Sequence, residues 1–370
     1  MRPAFIHASI VASIATLLFA AHAGCSSGDA ADCAGPGCGS AGTSLDASTE
    51  GHADGASEGA AGGAYDAPLL DMVVLDTPKP KSGFEEGHVF VAGSRNAKVF
   101  EFDSKLAPVT DWTHASFGTV LPPPGQDLSI GPAGMVFDVN GNLVVAAVDQ
   151  FCVFSKPGVL LACHPKVKSQ PTENIIFDHL GNLYTTTSTG GTNEIHKYDS
   201  SYTWKQTFPM STGELTGITC DPDANLYVAS QNQGAGRIYK LDKTTLAILD
   251  TIDMPGTTSL EGLQFAAGNS IFVGVLTQGV FKVQATSPMV SLGTFTDPGL
   301  YFPVPVTIDN AGNVYTADYE NGNGTLPADL FVFDSTGKVI ASRVASDVYG
   351  PFGMVVAGTY LPCGAYQPIR

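Results

Sequence analysis

The chain has 370 residues, 44% of them hydrophobic and only 14% charged, with 42 Gly and 24 Pro. That composition favours many short strands and turns over long helices. The formal charge of −17 argues against a nucleic-acid partner, because a phosphate backbone calls for a Lys/Arg stripe and the chain has none.

Residues 1–24 read as a signal peptide. One Arg precedes an apolar stretch from Ala4 to Ala21, and small residues follow. The stretch is short for a bilayer and is broken by His7, Ser9, Ser13 and Thr16, so a transmembrane anchor is the weaker reading. Two cleavage points compete. Ala21-His22-Ala23 suits ordinary signal peptidase, whereas His22-Ala23-Gly24-Cys25 resembles a bacterial lipoprotein box, with His22 standing where Leu is usual. The resemblance implies a lipid on Cys25 and a lipoprotein of the bacterial cell envelope, at the outer membrane or cell surface. A secreted or periplasmic protein is the alternative. Residues 25–81 then form a low-complexity acidic tether, with nine acids and no Lys or Arg between positions 26 and 78. It has almost nothing to bury and is expected to remain disordered.

From residue 82 the chain changes character. The runs HVFVAG (88–93) and AKVFEFD (97–103) match the second and third strands of a unit whose first strand is missing. After them comes a hairpin that recurs: FDVNGNLVVA (137–146), FDHLGNLYTT, CDPDANLYVA, FAAGNSIFVG and IDNAGNVYTA. Equivalent positions are Phe137, Phe177, Cys220, Phe265 and Ile308, at steps of 40, 43, 45 and 43 residues. Each unit supplies four strands, as in GITCD, NLYVAS, RIYKLD and LAILDTI from Gly217 onward. Four strands at this period define a propeller blade. The aspartates Asp138, Asp178, Asp221 and Asp309 are placed to bond backbone N–H groups two residues on, and Gly141, Gly181 and Gly312 supply positive φ. Calcium loops are the alternative for these acids, but the Gly and distant Glu of an EF-hand loop are missing. The unit at Phe265 lacks the Asp and is one residue shorter, so its turn must differ.

Cysteine placement supports export. Taking Cys25 as the lipid site leaves six, of which Cys152 and Cys163 flank VFSKPGVLLA. A hairpin over Pro157-Gly158 sets positions summing to 315 opposite one another, so Cys152 faces Cys163. A disulfide and a pair of buried free thiols are both open. Cys33 and Cys38 are close enough in sequence to pair, while nothing in the sequence brings Cys220 near Cys363. At the end, FGMVVAG (352–358) matches a first strand with no blade behind it. It is expected to complete the first blade, giving an all-β, six-bladed propeller over residues 82–370.

The D-x-x-G-N-φ-Y-φ-A units resemble NHL-repeat and gluconolactonase-like six-bladed propellers, a superfamily that includes the streptogramin lyases. The resemblance implies a site on the face formed by the entrances to the first strands and the loops between second and third strands. Those entrances are Ala133-Gly134, Glu173-Asn174, Thr216-Gly217, Glu261-Gly262, Val304-Pro305 and Phe352-Gly353. A lactonase-like enzyme would hold calcium or another divalent ion there, and Glu173, Asn174 and Glu261 are the nearest equivalents. A lyase would need a His base. Of His88, His114, His164, His179 and His196, only His164 is placed by the pattern near the mouth. The lyase family's Trp after the turn is missing, since Trp112 and Trp204 fall on outer strands.

The sixth blade inserts DYENGNGTLPAD (318–329) on this same face. Asp318, Tyr319, Glu320, Tyr301 and Tyr349 make it a candidate ligand-binding loop, and a tolerated insertion is the competing reading. Four small or apolar entrances weigh against the metal enzyme. The leading expectation is a monomeric, membrane-tethered, non-enzymatic propeller that binds a ligand or protein partner through its loop face. The alternative is a metal-dependent lactonase-like hydrolase or a streptogramin-lyase-like enzyme.

Overall fold

The computed structural model describes residues 83–118, 131–167, 172–189, 192–231, 235–257, 259–319, 327–359 and 363. The signal segment, Cys25, the tether, Cys33, Cys38 and Glu320 lie outside them. The described residues fall in one compact unit, and among them no helix is long and apolar enough to cross a membrane.

Six four-stranded antiparallel sheets form the blades of a six-bladed propeller. Each sheet runs in chain order from its inner to its outer strand, with one exception. The innermost strand of blade 1 is Pro351–Val356, from the far end of the chain, paired with Val89–Gly93. The ring is thus clasped by strand pairing between its two ends, and no edge is left on the inside. Sequence and structure agree here because a first strand without a blade and a blade without a first strand can satisfy their backbone groups only with each other. The remaining inner strands are Met135–Phe137, Thr172–Phe177, Glu214–Cys220, Leu260–Ala266 and Pro303–Ile308.

Turn chemistry fixes one face of the disc. In blade 2, Asp138 Oδ1 accepts from the amides of Asn140 and Asn142 at 2.8 Å each, and Oδ2 accepts from the Asn142 side chain at 2.9 Å. The same arrangement recurs at Asp178 and Asp309. Gly141 sits at φ 77°, whereas the Asp221 turn places Ala224 at φ 68°, a conformation that glycine adopts more easily. The odd unit turns differently: Gly268 and Asn269 take positive φ, and Ser270 Oγ donates to the Ala267 carbonyl.

Apolar side chains pack between neighbouring blades, and each blade interface holds its own cluster. Between blades 1 and 2, for example, Phe84, Phe90, Trp112, Phe137 and Phe154 meet mostly edge to face. At about 1.5–3 kcal/mol for each large buried side chain, these interfaces dominate the stability.

Two disulfides are present among the described residues. The register of the outer hairpin in blade 2 sets Cys152 opposite Cys163, and the two are joined at 2.06 Å. Cys363 is joined to Cys220 at 2.03 Å across a sequence separation of 143. It also bridges to Asp178, with its amide on the Phe177 carbonyl and its own carbonyl within 3.2 Å of His179 Nδ1. The chain therefore passes beyond the inner strand of blade 1 and is pinned to blades 3 and 4.

Candidate functional site

The inner strands approach one another closely because several carry a glycine near their start, at Gly217, Gly262 and Gly353. A Cβ added at Gly217 would stand 2.4 Å from the Glu261 carbonyl oxygen, and one at Gly262 would stand 2.4 Å from that of Val304. The result is a narrow channel of about 70 Å³. Met135, Ile175, Ile218, Leu263, Val306 and Met354 line it, one from each blade, with Asn174, Gln264 and Thr307 as polar interruptions.

Of the candidate metal ligands, Glu261 is buried, and its Oε1 accepts from Ser259 Oγ at 2.6 Å and Gln231 Nε2 at 2.7 Å. Asn174 lines the channel, but its Oδ1 accepts from the Ile175 amide at 2.9 Å. Glu173 belongs to the inner strand of blade 3, and its side chain lies outside the described residues. Glu261 is not among the residues lining the channel, and its Oε1 is engaged by neighbouring side chains. Among the described residues, one trio of ligand-type atoms lies within 4.8 Å of one another: His114, Cys152 and Cys163. Its two sulfurs are bonded to each other.

His164 requires a correction. It lies within the outer strand of blade 2, Val159–Pro165, and its ring stacks on Tyr202 at 4.2 Å, on a groove shared with the Asp138 turn. Its place on the outer strand of the blade keeps it off the channel wall. His88 is buried against Glu101 at 2.7 Å, and His196 is buried against Thr207 at 3.0 Å. His114 caps a short 3-10 turn by accepting from the Ser116 amide.

The mouth between blades 6 and 1 is aromatic. The Tyr319 ring meets Phe302 at 5.7 Å and Phe352 at 5.2 Å, both edge to face. Arg95, from blade 1, lies 5.1 Å over the Tyr319 ring, while its Nη2 donates to the Tyr319 hydroxyl at 2.9 Å. Asp318 is fully buried and holds this rim from behind, accepting from the amides of Tyr301 at 2.9 Å and Phe302 at 2.7 Å. Tyr301 is 43% exposed, and Tyr349 is half-buried with its carbonyl accepting from the Arg95 amide. Asp318, Tyr319, Tyr301 and Tyr349 are thus brought to one rim. Arg95 and Phe302 join them without having been marked by the repeat pattern, since each sits in a loop where the units diverge.

A second feature of this face is Lys166, which donates to Thr172 Oγ1 at 3.0 Å and lies 6.0 Å over the Phe151 ring. Burial pushes its pKa down to about 7, against the opposing pull of Asp149.

Comparison with known proteins adds the fold and little more. No family profile and no curated protein matches the sequence. Among solved structures, a protein of unknown function from Bacteroides caccae superposes with a TM-score of 0.55 at 14% identity, over 73% of this chain and 98% of its own. A chain of a nidogen/laminin complex gives 0.56 at 19% identity, over 74% and 99%. A streptogramin B lyase gives 0.50 at 11% identity, over 74% and 86%. At such identities the likeness establishes the propeller and leaves the activity open.

Proposed function

We propose that the protein is an exported binding module, monomeric and held at the cell envelope by lipid on Cys25, that engages a ligand or protein partner through its loop face without catalysing a reaction. The observation carrying this reading is the rim of Tyr319, Phe302 and Phe352 under Arg95. Rigid aromatics beside an Arg are the side chains that anchor recognition surfaces. Here Phe352 lies on a paired strand, Tyr319 and Phe302 directly flank paired strands, and the buried Asp318 holds the Phe302 amide, so little ordering is required on binding. The same fold serves a protein complex in one neighbour and a lyase in another, so the fold itself does not choose between them. In the hydrolase alternative an ion would have to be met by a Glu261 whose Oε1 already accepts from Ser259 and Gln231.

Assays of the purified mature protein on aliphatic and aromatic lactones, with and without calcium or manganese, test this choice. The binding reading predicts no turnover above buffer in wild type or Glu261→Gln. Metal-dependent hydrolysis that disappears in Glu261→Gln would replace it with the lactonase reading.

A further inference from the structure

The four aspartate turns are built alike but are not equally satisfied. Asp178 Oδ2 accepts from Asn182 and from the Tyr184 hydroxyl at 3.3 Å; Asp309 Oδ2 accepts from Asn313 and from the Tyr315 hydroxyl at 3.0 Å. Asp221 Oδ2 takes Asn225 and the Lys240 ammonium at 2.9 Å. In blade 2 the residue six places after Asp138 is Val144 instead of Tyr, and among the described residues Asp138 Oδ2 accepts from Asn142 alone. This Oδ2 is one donor short of the same atom in its three counterparts.

The same carboxylate borders a groove of about 310 Å³ between blades 2 and 3, within reach of ligand-sized sites. Val153, Leu161 and Phe177 supply apolar wall, and Asn140 and Ser200 supply polar edge. The Tyr202 ring, carried in from a turn of blade 3, closes one side with His164 stacked on it. Burial and the nearby Asp138 charge push the Tyr202 phenol above its ordinary range, so it stays protonated. Burial pushes the His164 imidazole below its range, so at neutral pH the stack carries no positive charge to repel a cation. A chain with a net charge of −17 attracts cations over its surface.

We infer that this groove binds a small organic ammonium ion with an apolar body, its N–H groups donating to Asp138 Oδ2 and its body lying on Leu161, Phe177 and the Tyr202–His164 stack. Such a cation supplies the donor that Tyr184, Lys240 and Tyr315 supply elsewhere, and the aromatic pair adds a cation–π surface. The site is separate from the channel mouth and does not depend on the function proposed above.

Calorimetric titration of the mature protein with phenethylammonium chloride, and in parallel with the neutral analogue 2-phenylethanol, tests it at pH 7.5 and low salt. Saturable binding of the ammonium is expected, with the alcohol about tenfold weaker or worse. Asp138→Asn should bring the ammonium down to the level of the alcohol, and Ala162→Trp, which fills the groove and leaves the turn intact, should remove both. Equal affinity for the two probes, no saturable heat up to about 10 mM, or unchanged binding in a folded Ala162→Trp variant would overturn the site.

Discussion

Replacing Cys220 and Cys363 together by Ala releases a tie that spans 143 residues of sequence, whereas replacing Cys152 and Cys163 releases one that spans 11. In the chain-entropy treatment a cross-link stabilises by narrowing the unfolded ensemble, at about 5 kcal/mol for the long loop and about 3 kcal/mol for the short one. Ala is chosen because Cys152, Cys220 and Cys363 are buried and an unpaired polar replacement would add its own cost. With an unfolding entropy of about 2.1 cal/mol/K per residue over roughly 280 residues, those losses correspond to Tm shifts of roughly 8 °C and 5 °C. Differential scanning calorimetry of the two double variants without reductant reads both. The long tie must matter more, since Cys363 also anchors the chain end to Phe177 and Asp178. A Cys220/Cys363 variant that melts within a degree of wild type, or that loses less than the Cys152/Cys163 variant, would refute this account of how the ring is secured.

Gly262→Ala drives a Cβ against the Val304 carbonyl at 2.4 Å and should cost about 1–3 kcal/mol, read as a lowered urea midpoint. Lys166→Met should raise stability most below pH 7 and progressively less up to pH 10.5. The folded-state pKa lies below the unfolded one, so the unfolded chain holds the extra proton in that window and wild-type stability climbs with pH there; unfolding midpoints at pH 6, 8 and 10 check the convergence. Cys25→Ser should move the exported protein from the detergent phase to the aqueous phase, and wild-type protein that is already aqueous would count against the lipid anchor.

The fold was legible because the repeat is dense in local chemistry. An Asp, a positive-φ residue and an Asn at fixed offsets specify four of the turns, so the blade count and the closing strand follow from spacing. The register placing Cys152 opposite Cys163 is likewise a local matter, set by the Pro157-Gly158 turn. Contacts between distant segments were not legible. Cys363 finds Cys220 only because the chain continues beyond the clasp, and His164 lies on an outer strand, where its ring meets Tyr202 of another blade. The carboxylate of Asp318 looked like a ligand contact in sequence, yet in the fold both of its oxygens face backbone amides. The substitution of Val144 for the repeating Tyr was visible all along, but it acquires meaning only beside a groove.

Recognition through the aromatic rim requires that residues on it touch a partner in the cell. A photocrosslinking amino acid at Tyr301, which is 43% exposed on that rim, and a matched one at Val344, 62% exposed on an outer strand, would be irradiated in intact cells producing the full chain. A discrete adduct is expected from position 301, absent at 344 and lost when Arg95→Ala and Tyr319→Ala are added in a folded protein. Equal labelling from both positions, or an adduct at 301 that persists in that double variant, would contradict it.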